Sequence, residues 1–188
     1  MRSGNGQGAR AIRDQRLLDA LEAVPRTPYS GIVWRSVAMG RDPLTCWRPG
    51  GRWDDRTFDV LYTSESREAA ISERRFHLFQ GQPILPSKVQ YELYELRVSL
   101  EQVVRFLSLD ALKAVGMDVA GYGLASYFEK EREYPRSQEV AEACAFLGAQ
   151  GIIAPSARDL AASNLVIFCE QAGSIAKEVI RNHGAIAF

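Results

Sequence analysis

Hydrophobic and polar positions follow two different periods along this chain. Over residues 11–24, Ile12, Leu17, Leu18 and Leu21 recur at helical spacing with Arg10, Arg13 and Arg16 outside, which predicts an amphipathic helix. Pro25 and Pro28 are expected to end it, since proline offers no N–H and fixes φ. Residues 29–37 read as a strand, Ile32-Val33-Trp34-Arg35-Ser36-Val37. Arg35 has the parity of Val33 and Val37, so it points with them into an interior or cleft, or else marks an edge strand with a solvated arginine.

Residues 41–55 are loop-like, with Pro43, Pro49, Gly50 and Gly51. Around them the chain reads as a glycine turn, Gly50-Gly51-Arg52-Trp53-Asp54, then a short strand in which Phe58, Val60 and Tyr62 alternate with Asp59, Leu61 and Thr63. Ser64 or Ser66 can cap the following helix, residues 67–79, which ends near Gly81 and Pro83. On that helix Ala69, Glu73 and Phe76 share a face, and a carboxylate at the edge of an apolar stripe is costly to bury without partners. Residues 88–100 form the longest strand candidate, and its apolar parity changes midway, as at a bulge or under burial on both faces.

Ser108 is placed to cap a short helix through Val115, closed by Gly116. Residues 121–136 are polar, with the run Glu129-Lys130-Glu131-Arg132-Glu133 that suits a solvated helix face or a loop. Ser137 is expected to cap a helix over residues 138–147. Two short strands follow at 151–156 and 164–169, and residues 175–180 fit a strand or a helix. There is no repeat and no linker. The expectation is one mixed α+β domain over residues 11–188 behind a flexible tail, residues 1–10.

Composition narrows the function. Lys+Arg and Asp+Glu are both 23, a balance that argues against direct nucleic-acid binding. Three cysteines without CxxC spacing read as reduced packing residues, and two distant histidines, His77 and His183, offer no metal cluster. No apolar run approaches the roughly 18 residues of a membrane span, and the start lacks a signal peptide's hydrophobic region; a cytoplasmic protein is expected. Neither a P-loop nor a dinucleotide fingerprint is present.

Polar groups stand among apolar strand residues in three places: Arg35; the Arg52–Tyr62–Ser64–Glu73 region; and Ser156 with Asn164. Arginine pairs bidentately with phosphate oxygens, so the two guanidinium groups suit a pyrophosphate. Tyr62 or Trp53 could stack on a flat heterocycle. A lone carboxylate, Glu73, can bind ribose hydroxyls and stabilise the positive charge that develops when a glycosidic bond breaks. Together they suggest a dinucleotide that is cleaved. The same residues have blander uses: Arg52 and Glu73 in ion pairs, Trp53 and Tyr62 in the core, Ser156 and Asn164 in turns. A non-enzymatic nucleotide-binding module is the competing class, and Glu73 discriminates, because a sensor needs no carboxylate beside a scissile bond.

These residues resemble the RES-domain toxins of bacterial RES–Xre toxin–antitoxin modules, a family named for an arginine, a glutamate and a serine. Arg35 in Val33-Trp34-Arg35, Glu73 in Ala69-Ala70-Ile71-Ser72-Glu73 and Ser156 in Ala154-Pro155-Ser156-Ala157 match in order. Gly51-Arg52-Trp53, Leu61-Tyr62-Thr63-Ser64 and Asn164-Leu165-Val166 match as well, and the resemblance covers about residues 31–168. Asp54 departs from the asparagine that members often carry there, which bears on the bonding of the loop. The resemblance implies an ADP-ribosyltransferase-like fold, NAD as substrate without a metal, and an Xre-like antitoxin that covers the active site. It implies that Arg35 holds NAD with Arg52 as helper, Tyr62 faces the nicotinamide, Glu73 stabilises the ribosyl cation, and Ser156 and Asn164 line the pocket. Members are assigned to NAD hydrolysis, to NAD phosphorolysis and, in one branch, to ADP-ribosylation of phosphoribosyl pyrophosphate synthetase. The expectation for this chain is a toxin that transfers ADP-ribose to a cytoplasmic protein, with NAD degradation as the alternative. His77, one helical turn beyond Glu73, is a minor candidate base for water.

Overall fold

A computed structural model of the chain describes residues 13–79, 90–123 and 130–187. The expected tail, the start of the first helix and the Gly81 and Pro83 stop lie outside the described residues. Helix α1 (Gln15–Glu22) starts at Asp14, whose carboxylate accepts from the N–H of Arg16, and buries Leu17 and Leu21 at i, i+4 spacing. Strand β1 (Arg26–Ala38) begins earlier than its pattern suggested and contains Pro28. The proline therefore does not merely end the helix. It sits where the register against the neighbouring strand slips between Thr27 and Tyr29, and at a bulge its missing N–H is tolerated.

Strand β2 (Val60–Ser64) leads into α2 (Arg67–Phe79), capped by Ser66, whose hydroxyl accepts from Ala69 N at 3.1 Å. Strand β3 (Tyr91–Arg105) runs five residues past the expected end; the start expected at residues 88–89 lies outside the described residues. Its change of parity coincides with two slips in its outer pairing, at Glu92/Tyr94 and Glu95/Leu96, so the expected bulge is there. Helix α3 (Leu109–Ala114) has Ser108 as cap and Gly116 at φ 80 beyond its end, as expected.

Helix α4 (Lys130–Phe146) corrects two expectations. It starts in the charge run, takes in Pro135, and places Ser137 in its interior rather than at its start. The Ser137 hydroxyl bonds the carbonyls of Tyr134 and, far in sequence, Arg52, at 2.9 and 2.6 Å; a cap-type residue can serve tertiary structure in this way. The last strands are β4 (Gly151–Pro155), β5 (Ser163–Phe168) and β6 (Ala176–Ala185). Pairing with β3 decides the ambiguous 175–180 segment in favour of strand.

The strand order is β1-β2-β5-β4-β3-β6, and β1 also pairs with β3. Five strands thus close on themselves while β6 extends from β3. All pairings are antiparallel except β3–β4. Inside lie Val33, Leu61, Leu96, Val98, Leu165 and Ile167, and a second cluster joins the outer face of β2, β4 and β5 to the helices. The mixed α+β expectation holds. One closure is weak: β1 and β2 share the single register pair Trp34↔Ser64 and then part, Val60 bonding Trp47 instead.

The cysteines are a correction. Cys46 and Cys169 form a disulfide across 123 residues, and only Cys144 is free, its thiol pushed up to about 12 by burial. The loop after β1 folds against the end of β5 and brings the two sulfurs together, which spacing alone cannot reveal. No helix among the described residues is long and apolar enough to cross a membrane.

The interior cluster sets a stability prediction. Leu96 is fully buried in it, so Leu96→Ala should cost about 2–5 kcal/mol in a urea denaturation midpoint series, from lost burial plus the cavity left behind.

Candidate active site

The glycine turn is held by a buried acid. Gly50 adopts φ 72, and the N–H groups of Gly50 and Gly51 donate to Asp54 Oδ1 and Oδ2, each at 2.7 Å. The Tyr62 hydroxyl donates to Asp54 Oδ2 at 2.9 Å and accepts from Trp53 N at 2.8 Å. A Cβ on Gly51 would stand 2.7 Å from the Tyr62 hydroxyl oxygen, so the close approach requires glycine. From α4, Gln138 donates to the carbonyls of Gly51 and Asp54 at 2.8 and 3.0 Å.

Three residues singled out from sequence lie on this loop and its strand. Trp53 is 3% exposed and packs in the core beside α4, so its ring offers no open face. Tyr62 has its hydroxyl committed to the loop, and burial, then the charge of Asp54, pushes its pKa well above the ordinary tyrosine value. The Arg52 guanidinium stacks on Tyr122 and Tyr134, 4.6 and 5.1 Å from their ring centroids. Tyr122 in turn donates to the carbonyl of Pro155 at 2.7 Å, which places Arg52 beside the segment carrying Ser156.

Glu73 is the centre of a second network. Its Oε1 accepts from Ser156 Oγ at 2.8 Å and from Asn164 Nδ2 at 3.0 Å. Asn164 Oδ1 accepts from Ser64 Oγ at 2.8 Å, across the register pair Ser64↔Asn164. Four sequence candidates, Ser64, Glu73, Ser156 and Asn164, therefore meet through hydrogen bonds, although the first and last are 100 positions apart. Both bonds fall on Oε1, and among the described residues Oε2 has no hydrogen-bond partner. Of the two expected cap candidates it is Ser66 that caps α2, which leaves the Ser64 hydroxyl for this network.

Arg35 points inward, 9% exposed. Its Nη2 donates to the carbonyl of Thr45 at 3.2 Å, while Nη1 is buried and makes no hydrogen bond. Burial, then the charge of Arg74, lowers its pKa to about 10. Arg74 is the residue that sequence reasoning missed. It donates to the carbonyl of Ser36 at 2.8 Å and to its hydroxyl at 3.3 Å, and it stacks over Tyr91 at 4.5 Å. A helical wheel contains the signal, since Arg74 follows the buried Ala70 by four positions. Arg158, also missed, lies over Phe76 at 3.2 Å and donates to the carbonyl of Gly123. His77 is exposed and packs its ring edge-on against Phe76.

Arg35 neighbours Thr45 and Arg74, whereas Arg52 stacks on Tyr122 and Tyr134. Arg35 and Glu73 are joined indirectly, through Arg74 next to Glu73 and Ser36 next to Arg35. A cavity of about 530 Å³ lined by Ser30, Val98, Ile175 and Lys177 touches none of the residues picked from sequence.

A search with protein-family models matches the RES domain over residues 32–188, a span that takes in Arg35, Arg52, Glu73, Ser156 and Asn164. The chain belongs to the RES-domain family. The match runs further toward the C-terminus than the motifs alone indicated, through β6. Among solved structures, this RES-domain chain is similar to one in the crystal structure of the M. tuberculosis MbcT–MbcA toxin–antitoxin complex. The TM-score is 0.74 at 20% sequence identity, covering 91% of this chain and 92% of that one. At that identity the likeness concerns the fold. No curated protein matches the sequence.

The turn yields a prediction. Asp54 receives three donors, and an amide would set its own N–H₂ against one of them. Asp54→Asn should cost about 1–3 kcal/mol in denaturant unfolding, the penalty of an unmatched buried donor.

Proposed function

We propose that this RES-domain protein is the toxin of a toxin–antitoxin pair and cleaves the nicotinamide–ribose bond of NAD. The observation that carries the reading is the Glu73 carboxylate, oriented at Oε1 by Ser156 and Asn164, with Oε2 left for a ligand. The pyrophosphate binds at Arg35, whose buried Nη1 lacks a partner, with Arg74 adding positive charge. Nicotinamide ribose then lies against Glu73. The C1′–N bond breaks with its electron pair going to the nicotinamide nitrogen, whose positive charge is thereby neutralised. The ribosyl cation left behind is stabilised by the Glu73 charge.

Capture of that cation completes the reaction. A nucleophile bonds to C1′ and gives up its proton to solvent, so nicotinamide and an ADP-ribosyl adduct are the products. Transfer to a cytoplasmic protein is one reading, with Gly121 to Arg136 as the acceptor's docking surface. The other reading is a small acceptor, water or inorganic phosphate; from Lys130 onward the 121–136 stretch is the first turns of α4, the helix that holds the glycine turn through Ser137 and Gln138. The partner is an Xre-like antitoxin that covers the Arg35–Glu73 cleft. The fold likeness to a chain crystallised in a toxin–antitoxin complex supports this assignment.

Nicotinamide release from NAD by the purified chain is the direct test. Glu73→Gln should fold, bind NAD and lose about 10²–10³-fold in release rate, because the amide keeps the hydrogen bonds and removes the charge. Unchanged release would defeat the mechanism. Arg35→Lys should mainly raise KM, since an ammonium cannot reproduce the planar fork. Labelled NAD in cell extract separates the acceptors: label on protein bands supports transfer to protein, and free ADP-ribose or its phosphate supports the small acceptor.

A further inference from the structure

Residues 41–46 connect β1 to the loop and are held to the rest of the protein at few points. Asp42 folds the segment on itself, accepting from Leu44 N at 2.9 Å and from the Thr45 hydroxyl at 3.1 Å. Leu44 and Cys46 pack on the interior cluster. The long-range polar and covalent ties are the bond from Arg35 to the carbonyl of Thr45 and, at the next residue, the Cys46–Cys169 disulfide together with a contact from Lys177. From Trp47 onward the loop has other anchors: backbone bonds to Val60, and Arg48 to Asp59 and Glu170. Opening the disulfide would therefore remove the one covalent tie of residues 41–46, loosen that segment and leave the glycine turn in place.

Both sulfurs have a cationic neighbour. Lys177 on β6 places Nζ 3.2 Å from Cys46 Sγ and 3.7 Å from Cys169 Sγ. A positive charge at that distance stabilises a thiolate and so assists thiol–disulfide exchange. The same lysine lies close enough to Arg35 for the two charges to interact, so the sulfurs, Lys177 and the anion-binding arginine form one neighbourhood.

We propose that Cys46 and Cys169 are a reversible redox site that sets the position of Arg35. This rests on the reading of Arg35 as a ligand of NAD. A dithiol is the reductant. Its thiolate attacks Cys169 Sγ, and Cys46 leaves as a thiolate beside Lys177. The reductant's second thiol then displaces Cys169 and closes its own disulfide. Two electrons pass to the protein, the two protons of the dithiol end on Cys46 and Cys169, and the reductant is oxidised. With the bond open, the Thr45 carbonyl is no longer pinned where Arg35 binds it, and the guanidinium loses its fixed orientation.

The test uses the full chain with and without dithiothreitol. Native alkylation counted by intact mass should add no group to the oxidised chain and two to the reduced one, buried Cys144 staying unmodified. Hydrogen exchange over residues 41–46 should accelerate on reduction. KM for NAD should rise about tenfold, the scale of one lost hydrogen bond to a charged group. A Cys46→Ser/Cys169→Ser double variant should match the reduced chain whether or not reductant is added. Two adducts without reductant, equal exchange in both states, or equal KM in an active enzyme would each overturn the proposal. Absence of nicotinamide release in both states would defeat NAD as substrate, and the exchange data alone would then decide the latch.

Discussion

The buried carboxylate of Asp54 is the constraint on which the neighbourhood of the site depends. It is 0% exposed, and a charge withdrawn from water is tolerated only when its lone pairs are filled by donors. Two of the three donors come from a turn that glycine makes possible, and the third comes from Tyr62 in the middle of β2. The turn is thereby welded to β2. Gln138 reads two carbonyls of the same turn, so α4 is placed by the loop as much as by its own apolar face. Through Tyr62 the acid also steadies the strand that ends in Ser64, the first member of the Glu73 network.

A second constraint follows from incomplete closure of the sheet. β1 and β2 meet at Trp34↔Ser64 and part beyond it, at the stretch of β1 that carries Arg35 and Ser36. Helix α2 spans the parting with two consecutive residues. Glu73 reaches Asn164 and, through it, Ser64 on the β2–β5 side, whereas Arg74 reaches Ser36 on β1. Neighbours on a helix are about 100° apart, so adjacent positions can serve two different strands. The helix thus fastens both edges of the opening and presents one carboxylate and one guanidinium to it.

Much of this was legible in the sequence, and the misses have physical causes. Parity and alternation found β1 and β2, and short buried segments found β4 and β5, because each buries one face or both in a core. It left 175–180 undecided because β6 is exposed along most of its length and its pattern carries no buried stripe. Ser137 looks like a helix start, but its tie to Arg52, 85 residues away, was invisible to local rules. The disulfide was missed for the same reason, since it joins residues 123 apart. Arg35, Glu73, Ser156 and Asn164 could be picked out as polar groups amid apolar ones, which is where an unsatisfied side chain is conspicuous. Trp53 and the Tyr62 hydroxyl were harder, because an aromatic residue suits a core as well as a ligand, and only the bonding to the turn shows where each belongs.

The two charges at the opening are treated in opposite ways, and the difference bears on chemistry. Arg35 is buried with one nitrogen unbonded and a second guanidinium nearby, an arrangement that costs stability. Glu73 is bonded only by a hydroxyl and an amide, both neutral, and among the described residues it has no ion pair. Had Arg74 paired with the adjacent Glu73, the carboxylate would already be neutralised and could do little for a developing cation. Arg74 is turned to Ser36 instead, and the neutral donors orient Glu73 without cancelling its charge. On the proposed reading, positive charge is therefore available for a pyrophosphate at Arg35 and negative charge for a ribosyl cation at Glu73. Two consecutive helical residues can keep these charges apart because each is engaged by a different strand.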